Sequence, residues 1–375
     1  MNQQNSRQVY FAAIDPYLEV NRFLPTEKVV ISKDMVEWGT RNQYPDYLLD
    51  LYNNVTTLKS IIDGNIDFIA GDEILIDPLN DVLLPGTMNL NGDTIIEQVR
   101  DEAKDYEIYG GFALQVIRNF LGGIAEVYYI DMRYLRMNRN CDVFYYCEHW
   151  DKGGRKDVIV YPAFNPNLDW ASLSEEEKNR NASSILFVKN VHTQVYPAPL
   201  YAAAVKACEI ERNIDDYHLN SIENGFAPSM IVNFNNGDPG DEAKEEIEED
   251  MNEKFCGHQN GGRIMISFNK DRASATTFET PKVEDFGDRY QALASHSRQQ
   301  IFSAFRAIPL LFGMTTDVST GFSTEEFEQS FKLYNRTQIR PVQRLIADAY
   351  RKIYGRDVLR IKPFSLSGET ETIVD

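Results

Sequence analysis

The apolar positions fall at helical spacing from residue 44 to residue 70. Leu48, Leu51 and Tyr52 open the run, and Leu58, Ile61, Ile62, Ile66 and Ile69 continue it. Pro45 fits a first helical turn and Gly71 supplies the stop. Upstream, residues 1 to about 40 read as an irregular arm with a strand over 29–31. A further helix is predicted over 93–109, carrying Ile95, Ile96, Val99, Ala103 and Tyr106. After Gly110-Gly111 the period becomes that of a strand. FALQVIRNF and IAEVYYID are separated by Gly122-Gly123, a hairpin signal. Strands are also predicted over 143–147, 157–161 and 184–188, with a short capped helix in SLSEEEKNRN. Up to residue 197 the pattern is that of an α+β body.

The second half is built differently. Residues 200–224 predict a long helix, about 37 Å at 1.5 Å per residue. Ala203, Ala207, Ile210, Ile214, Tyr217 and Ser221 recur on it at spacings of four and three, a narrow row suited to helix–helix packing. Asn224-Gly225 ends it. A small α/β unit is predicted over 228–280: the strand SMIVNF, an acidic helix, a glycine-rich turn (257–262), the strand RIMISF, and TTFET. A second long helix runs over 285–306, with Tyr290, Leu293, Ser297, Ile301 and Ala304 on one side, and ends at Ile308-Pro309. MTTDVSTGFS follows as a flexible loop. Ser323 then caps a third long helix over 324–354, which Pro341 is expected to kink. A strand and a polar tail close the chain.

Composition narrows the function. The 375 residues hold 57 Asp and Glu against 38 Lys and Arg, a formal net charge of −19. A protein that grips DNA on its exterior neutralises phosphates and is basic, so that class is excluded; a protein that lets DNA pass is not. The four cysteines have no CxxC spacing, which suggests neither a disulfide framework nor a zinc ribbon. No signal peptide or transmembrane run is visible.

Motifs for chemistry are lacking. There is no GxSxG, HExxH, Walker A or GxGxxG, and Cys147-Glu148-His149 and Cys256-Gly257-His258 have no second pair of metal ligands. Residues 238–254 hold nine acids and two lysines, a net of −7 that reads as a solvated helix face. No cofactor, metal or catalytic residue is expected. The competing readings are a metal-dependent nuclease using the acidic cluster, and a monomeric scaffold or adaptor.

Four stretches carry a resemblance. WGTRNQYPDYLLDLYNNVTTLKSIIDGNIDFIAGDEI (38–74) combines Trp, Asn-x-Tyr-Pro, a Leu-rich and an Ile-rich helix, and a closing Gly. PLYAAAVKACEIERNIDDYHLNSIENGFAPSMIV (199–232) ends in Asn-Gly-x-x-Pro before a strand. IFSAFRAIPLLFGM (301–314) and EEFEQSFKLYNRTQIRPVQRLIADAY (325–350) follow in order. Together they resemble the portal (connector) proteins of tailed bacteriophages over 38–354.

The resemblance implies an α+β portal-protein fold: a wing over 1–197, a first stem helix over 198–226, a clip over 227–282 and a second stem helix over 283–314. A tunnel loop over 315–323 and a long wing helix with a short tail over 324–375 would complete it, with a C-terminal crown minimal or absent. It further implies a non-enzymatic dodecameric ring at one capsid vertex, through which double-stranded DNA is packaged and ejected. The implied partners are other copies of the chain, the DNA, the terminase large subunit, the major capsid protein and a head–tail adaptor, with no membrane. The implied location is the virion, with assembly in the host cytoplasm.

Thr315, Thr316, Asp317, Val318, Ser319, Thr320, Gly321, Phe322 and Ser323 would form the channel loop. Ala203, Ala207, Ile210, Ile214, Tyr217, Leu293 and Ile301 would pack the stem. Glu245, Glu246, Glu248 and Glu249 would face the motor or adaptor. The strands SMIVNF and RIMISF are expected to pair across subunits.

Overall fold

The computed structural model describes residues 27–30, 34–76, 88–150, 157–190, 194–224, 230–234, 264–268, 286–313 and 324–364. They fall in two compact units. One comprises Met1–Lys206 with Ile301–Asp375, the other Ala207–Gln300.

The first unit is an assembly of helices and antiparallel sheets. Strands β1 (Glu27–Val30) and β2 (Met35–Trp38) lead into α1 (Tyr44–Asn54) and α2 (Thr56–Ala70). The helical run at 44–70 is thus divided into a Leu-rich and an Ile-rich helix, the pair that the resemblance implied. Asn54 turns its amide back onto the Asp50 carbonyl and carboxylate, 2.8 Å each, and competes for a C-terminal carbonyl of α1. Val55 then leaves the helical region (φ −110°, ψ 108°) with its side chain buried, a conformation that suits a β-branched residue.

Next come β3 (Glu73–Ile76), α3 (Ile95–Tyr109), β4 (Gly111–Arg118), β5 (Ile124–Ile130), β6 (Leu135–Asn138), β7 (Val143–Tyr146) and β8 (Ile159–Pro162). The short α4 (Glu175–Asn181) and β9 (Ser183–Lys189) complete this stretch. The capping box foreseen in SLSEEEKNRN is formed: Ser174 Oγ accepts from the Glu177 N–H at 3.3 Å and Glu177 accepts from the Ser174 N–H at 2.9 Å.

One sheet has the order β1-β2-β6-β7-β8, another β5-β4-β9. Strand β12 (Leu359–Lys362), from the far end of the chain, pairs with β3, Leu359 opposite Ile76. Strands β2, β3 and β6 have no counterpart in the sequence reading. They are four residues each.

The Trp-Gly-Thr-Arg-Asn stretch at 38–42 is organised around a buried cation. Arg136 on β6 is fully buried. Its Nε donates to Asn42 Oδ1 (2.9 Å), Nη2 to the Asn42 carbonyl (2.7 Å), and Nη1 to the carbonyls of Arg133 and Leu135 (2.8 and 2.7 Å). Trp38 and Trp150 lie over the guanidinium at 5.8 and 5.2 Å. Burial draws its pKa down to about 10, so it stays cationic at neutral pH.

Helix α3 is the hub of the core, and it is unusual in burying three carboxyls: Glu102, Asp105 and Glu107. Helix α5 (Val205–Asn224), entered through a short 3-10 turn over Ala202–Ala204, and α6 (Phe286–Phe305) are the two long helices foreseen at 200–224 and 285–306. In the second unit β10 (Met230–Phe234) and β11 (Ile264–Phe268) pair with each other in parallel, Met230 opposite Ile264. The SMIVNF and RIMISF strands thus meet each other within one chain. Twenty-nine intervening residues suffice for the crossover that a parallel pair requires. The acidic run and TTFET lie outside the described residues.

The helix foreseen at 324–354 is a helical run in three parts: α7 (Thr324–Tyr334), a π turn over Asn335–Ile339, and α8 (Arg340–Tyr354). The expected disturbance at Pro341 takes this form. Proline lacks an N–H and its ring crowds the carbonyl four residues back. The wider turn places the Arg340 N–H on the Asn335 carbonyl and carries the chain past the proline.

Candidate channel-loop anchor and stem surface

The segment expected to line a channel, 315–323, lies outside the described residues, as do Glu245, Glu246, Glu248 and Glu249. What the structure describes is how the two ends of that segment are held. After Phe305 the chain turns at Arg306 (φ 51°), and Pro309–Phe312 form a 3-10 turn ending at Gly313. Helix α7 starts on the other side of the gap at Thr324. Both ends converge on one aromatic cluster.

Phe312 meets Phe302 at 6.1 Å between ring centroids, Phe68 at 6.2 Å and Tyr334 at 5.8 Å. Phe68 also meets Phe331 (5.7 Å) and Phe364 (5.8 Å). The pairs are edge-to-face, the arrangement the ring quadrupoles favour. Space for Phe312 comes from Gly64 on α2: a Cβ there would stand 2.7 Å from Phe312 Cε1. The sequence reading passed over this cluster, because its six rings come from four separate segments.

A polar chain runs from the cluster into the core. Tyr334 donates its hydroxyl to Asn65 Oδ1 (2.7 Å), and Asn65 donates its amide to Glu107 Oε2 (2.8 Å). One helix face away, the Tyr350 hydroxyl meets Glu102 Oε1 at 2.6 Å, and Gln343 donates to the Ile69 carbonyl at 3.0 Å. Burial pushes Glu107 up to about 7 and Glu102 up to about 8, in each case against a hydrogen bond that lowers it. Asp105 is raised as well, by burial and then by the Asp131 charge.

The roots of the long helices are fixed in the same unit. Tyr201, just before α5, stacks on Phe305 at the end of α6 at 5.4 Å and donates its hydroxyl to the Ile108 carbonyl at 3.1 Å. The row of apolar residues on α5 is divided. Ala207 and Ile214 are buried, as is Ile301 on α6. Ala203 is exposed, and so are Ile210 (39%), Tyr217 (46%) and, on α6, Leu293 (46%). The geometry explains the split: residues 203, 210 and 217 are seven apart and share one flank, whereas 207 and 214 lie on the next. Tyr217 stacks by one face on Tyr290 at 5.0 Å, joining α5 to α6.

Among the described residues no group of three or more His, Cys, Asp or Glu side chains is placed to hold a metal ion. No helix among them is long and apolar enough to cross a membrane.

No curated protein sequence matches the chain. Among solved structures, a chain from the virion of a native gene transfer agent particle superposes with a TM-score of 0.55 at 15% identity, over 88% of this chain and 86% of that one. A chain from the neck of a native gene transfer agent particle, computed with C12 symmetry, gives 0.53 at 16% identity over 87% and 85%. An HK97 family phage portal protein from Corynebacterium diphtheriae gives 0.48 at 9% identity over 84% and 94%. The first two show that the fold is shared. The family described as phage portal protein matches residues 83–366, well over half of the sequence, and this family is structural, not enzymatic. That span takes in both long helices, the segment between them and five of the six rings of the loop anchor, Phe68 being the exception: the chain belongs to the phage portal protein family.

Proposed function

We propose that the chain assembles into a closed ring at one vertex of a capsid and that double-stranded DNA passes through the ring's centre during packaging and ejection. The observation that carries this reading is the open apolar flank of the long helices. Ile210 and Leu293 keep 39% and 46% of their surface exposed in the single chain, and a head-to-tail neighbour would cover the remainder. Twelvefold symmetry, the symmetry used for the related neck, is the proposed copy number.

In this reading 1–197 and 324–375 form the wing, α5 and α6 the stem, 227–282 the clip, and 315–323 a loop facing the DNA. That loop contains several Ser and Thr, Gly321 and a single charge, Asp317, so it would brush a polyanion without holding it. The acidic clip residues Glu245, Glu246, Glu248 and Glu249 would dock the packaging motor and later a head–tail adaptor. The wing would face the major capsid protein. Assembly would take place in the host cytoplasm.

Negative-stain microscopy of the purified protein tests the ring: open-centred particles are expected, and a uniform monomer would refute it. Deleting Val318 to Phe322 tests the loop. Rings should persist while packaged DNA per particle falls; normal packaging with lost rings would overturn the assignment. Glu-to-Gln changes at 245, 246, 248 and 249 should weaken motor binding and leave rings intact.

A further inference from the structure

Strands β4 and β5 are joined by a tip that displays two large apolar side chains to solvent, Phe120 (99% exposed) and Leu121 (91%). Single exposed apolar residues are common. This pair is set apart by how firmly the backbone beneath it is held. Asn119 Oδ1 accepts from the N–H groups of Leu121 and Gly123, both at 3.0 Å. The Asn119 N–H meets the Gly123 carbonyl at 2.8 Å, and the Gly122 N–H meets the Asn119 carbonyl at 2.9 Å. Arg118 Nη1 donates to the Gly122 carbonyl (2.8 Å), and Trp170 Nε1 to the Phe120 carbonyl (3.1 Å). Gly122 sits at φ 88° against the Trp170 ring, where a Cβ would come within 2.5 Å of Cγ. The tip is thus a preorganised apolar knob, so little ordering cost remains for a partner that receives it.

The same unit also holds a groove. It lies between α8 and the sheet edges, with a volume of about 560 Å³, within the range of ligand-sized pockets. Its lining is mixed: Phe144, Phe164, Ile185 and Leu345 lie beside charged side chains, and Cys141 opens onto it. The groove begins near the knob, where Arg118 lies over the Phe164 ring at 5.1 Å, and extends away from it along β9. The knob follows Arg118, beyond the Ser183 end of β9, whereas the groove runs along Ile185 to Lys189, up to ~20 Å away at about 3.4 Å per residue. Charge complements shape. The groove carries the exposed cations Arg344 and Lys352 beside one acid, Asp348, while Lys189 donates to the Val195 carbonyl; the Trp170 brace is followed by the exposed acids Glu176 and Glu177, with Glu175 paired to Lys178 at 2.9 Å.

We propose that the Phe120–Leu121 knob of one subunit inserts into this groove of the next subunit around the ring, its two side chains on the apolar part of the lining. This rests on the ring reading above. A heterologous interface needs two different, complementary patches on one chain, and these two meet that requirement.

The groove cysteine allows a direct test. In a Cys256→Ser background the remaining cysteines outside the groove, Cys147 and Cys208, are buried. Leu121→Cys is introduced, rings are verified by negative stain, and the sample is oxidised and run on a non-reducing gel. A ladder of covalently linked subunits is expected, because a disulfide forms only when the two Cα atoms come within about 7 Å. Adding Cys141→Ser should abolish it. Rings without a ladder, or a ladder that survives Cys141→Ser, would overturn the knob-in-groove contact and leave the ring reading standing. If the parent protein forms no rings on the same grids, both readings fall. Independently, Phe120→Asp with Leu121→Asp should keep the parent's circular dichroism and Tm and weaken assembly at least tenfold. Unchanged assembly would refute the proposal.

Discussion

Gly64 and Phe312 are packed so closely that a single methyl on the glycine would reach 2.7 Å from the ring edge. In a helix, replacing Gly by Ala is ordinarily worth about 1 kcal/mol of stability. Here the methyl must displace Phe312, a loss of about 1–3 kcal/mol from overpacking. Gly64→Ala is therefore expected to be destabilising in the parent and stabilising when Phe312→Ala has already vacated the site. Denaturant titration of the four proteins of this double-mutant cycle measures the reversal, and a Gly64→Ala effect that is independent of Phe312 would disprove the anchor.

Stability should fall as pH rises from about 4.5 to about 8. Glu102 and Glu107 have folded-state pKa values raised to about 8 and about 7, above an ordinary glutamate. Over this window the unfolded chain releases protons that the folded chain retains. Their contribution is thus fully present below the unfolded pKa and lost as pH rises through the folded one, at about 1.4 kcal/mol per pH unit and group. Glu102→Gln should flatten the upper part of the profile and raise Tm at pH 8. Parallel profiles for parent and variant would contradict this.

Asn42 supplies two of the four acceptors around the buried Arg136 guanidinium, one from its side chain. Asn42→Ala strands the Arg136 Nε donor on a buried charge and should cost about 2–3 kcal/mol. The Asn42→Asp variant, which restores an acceptor, should recover most of it in chemical denaturation. A loss below 0.5 kcal/mol for Asn42→Ala, on the order of a surface substitution, would show that the guanidinium is not held as described.

Ile210 lies on the open flank of α5 and is 39% exposed. Ile210→Asp should leave the subunit folded, since the side chain is open to solvent on one side, and prevent ring closure by burying an unpaired charge between neighbours. Light scattering after size exclusion distinguishes a folded monomer from a ring. A normal ring would place this flank away from the subunit interface.

The long helices were legible because their apolar positions repeat over five or more turns, and the capping box because its two residues lie three apart. The apolar spacing continues across Val55, so the division there was implied by the resemblance and not by periodicity, and the Asn54 amide supplies its physical cause. The anchor was hidden: Phe68, Phe312, Phe331 and Phe364 are ordinary core residues one at a time, and they meet only in three dimensions. The Phe120–Leu121 tip left a readable trace, an apolar pair where turn chemistry favours polar residues.

The π turn over Asn335–Ile339 adds one residue to a helical circuit. Each residue advances an α-helix by about 100°, so the turn is a phase corrector. Phe331 and Tyr334 before it, and Val342, Ile346, Tyr350 and Ile353 after it, are all buried because the surplus residue is absorbed between them. Removing one residue from this turn would rotate everything downstream by about a quarter of a circle and bring Arg344 into the buried place of Gln343 and Arg351 into that of Tyr350. The helix that follows the loop therefore tolerates substitution in this turn far better than a change in its length.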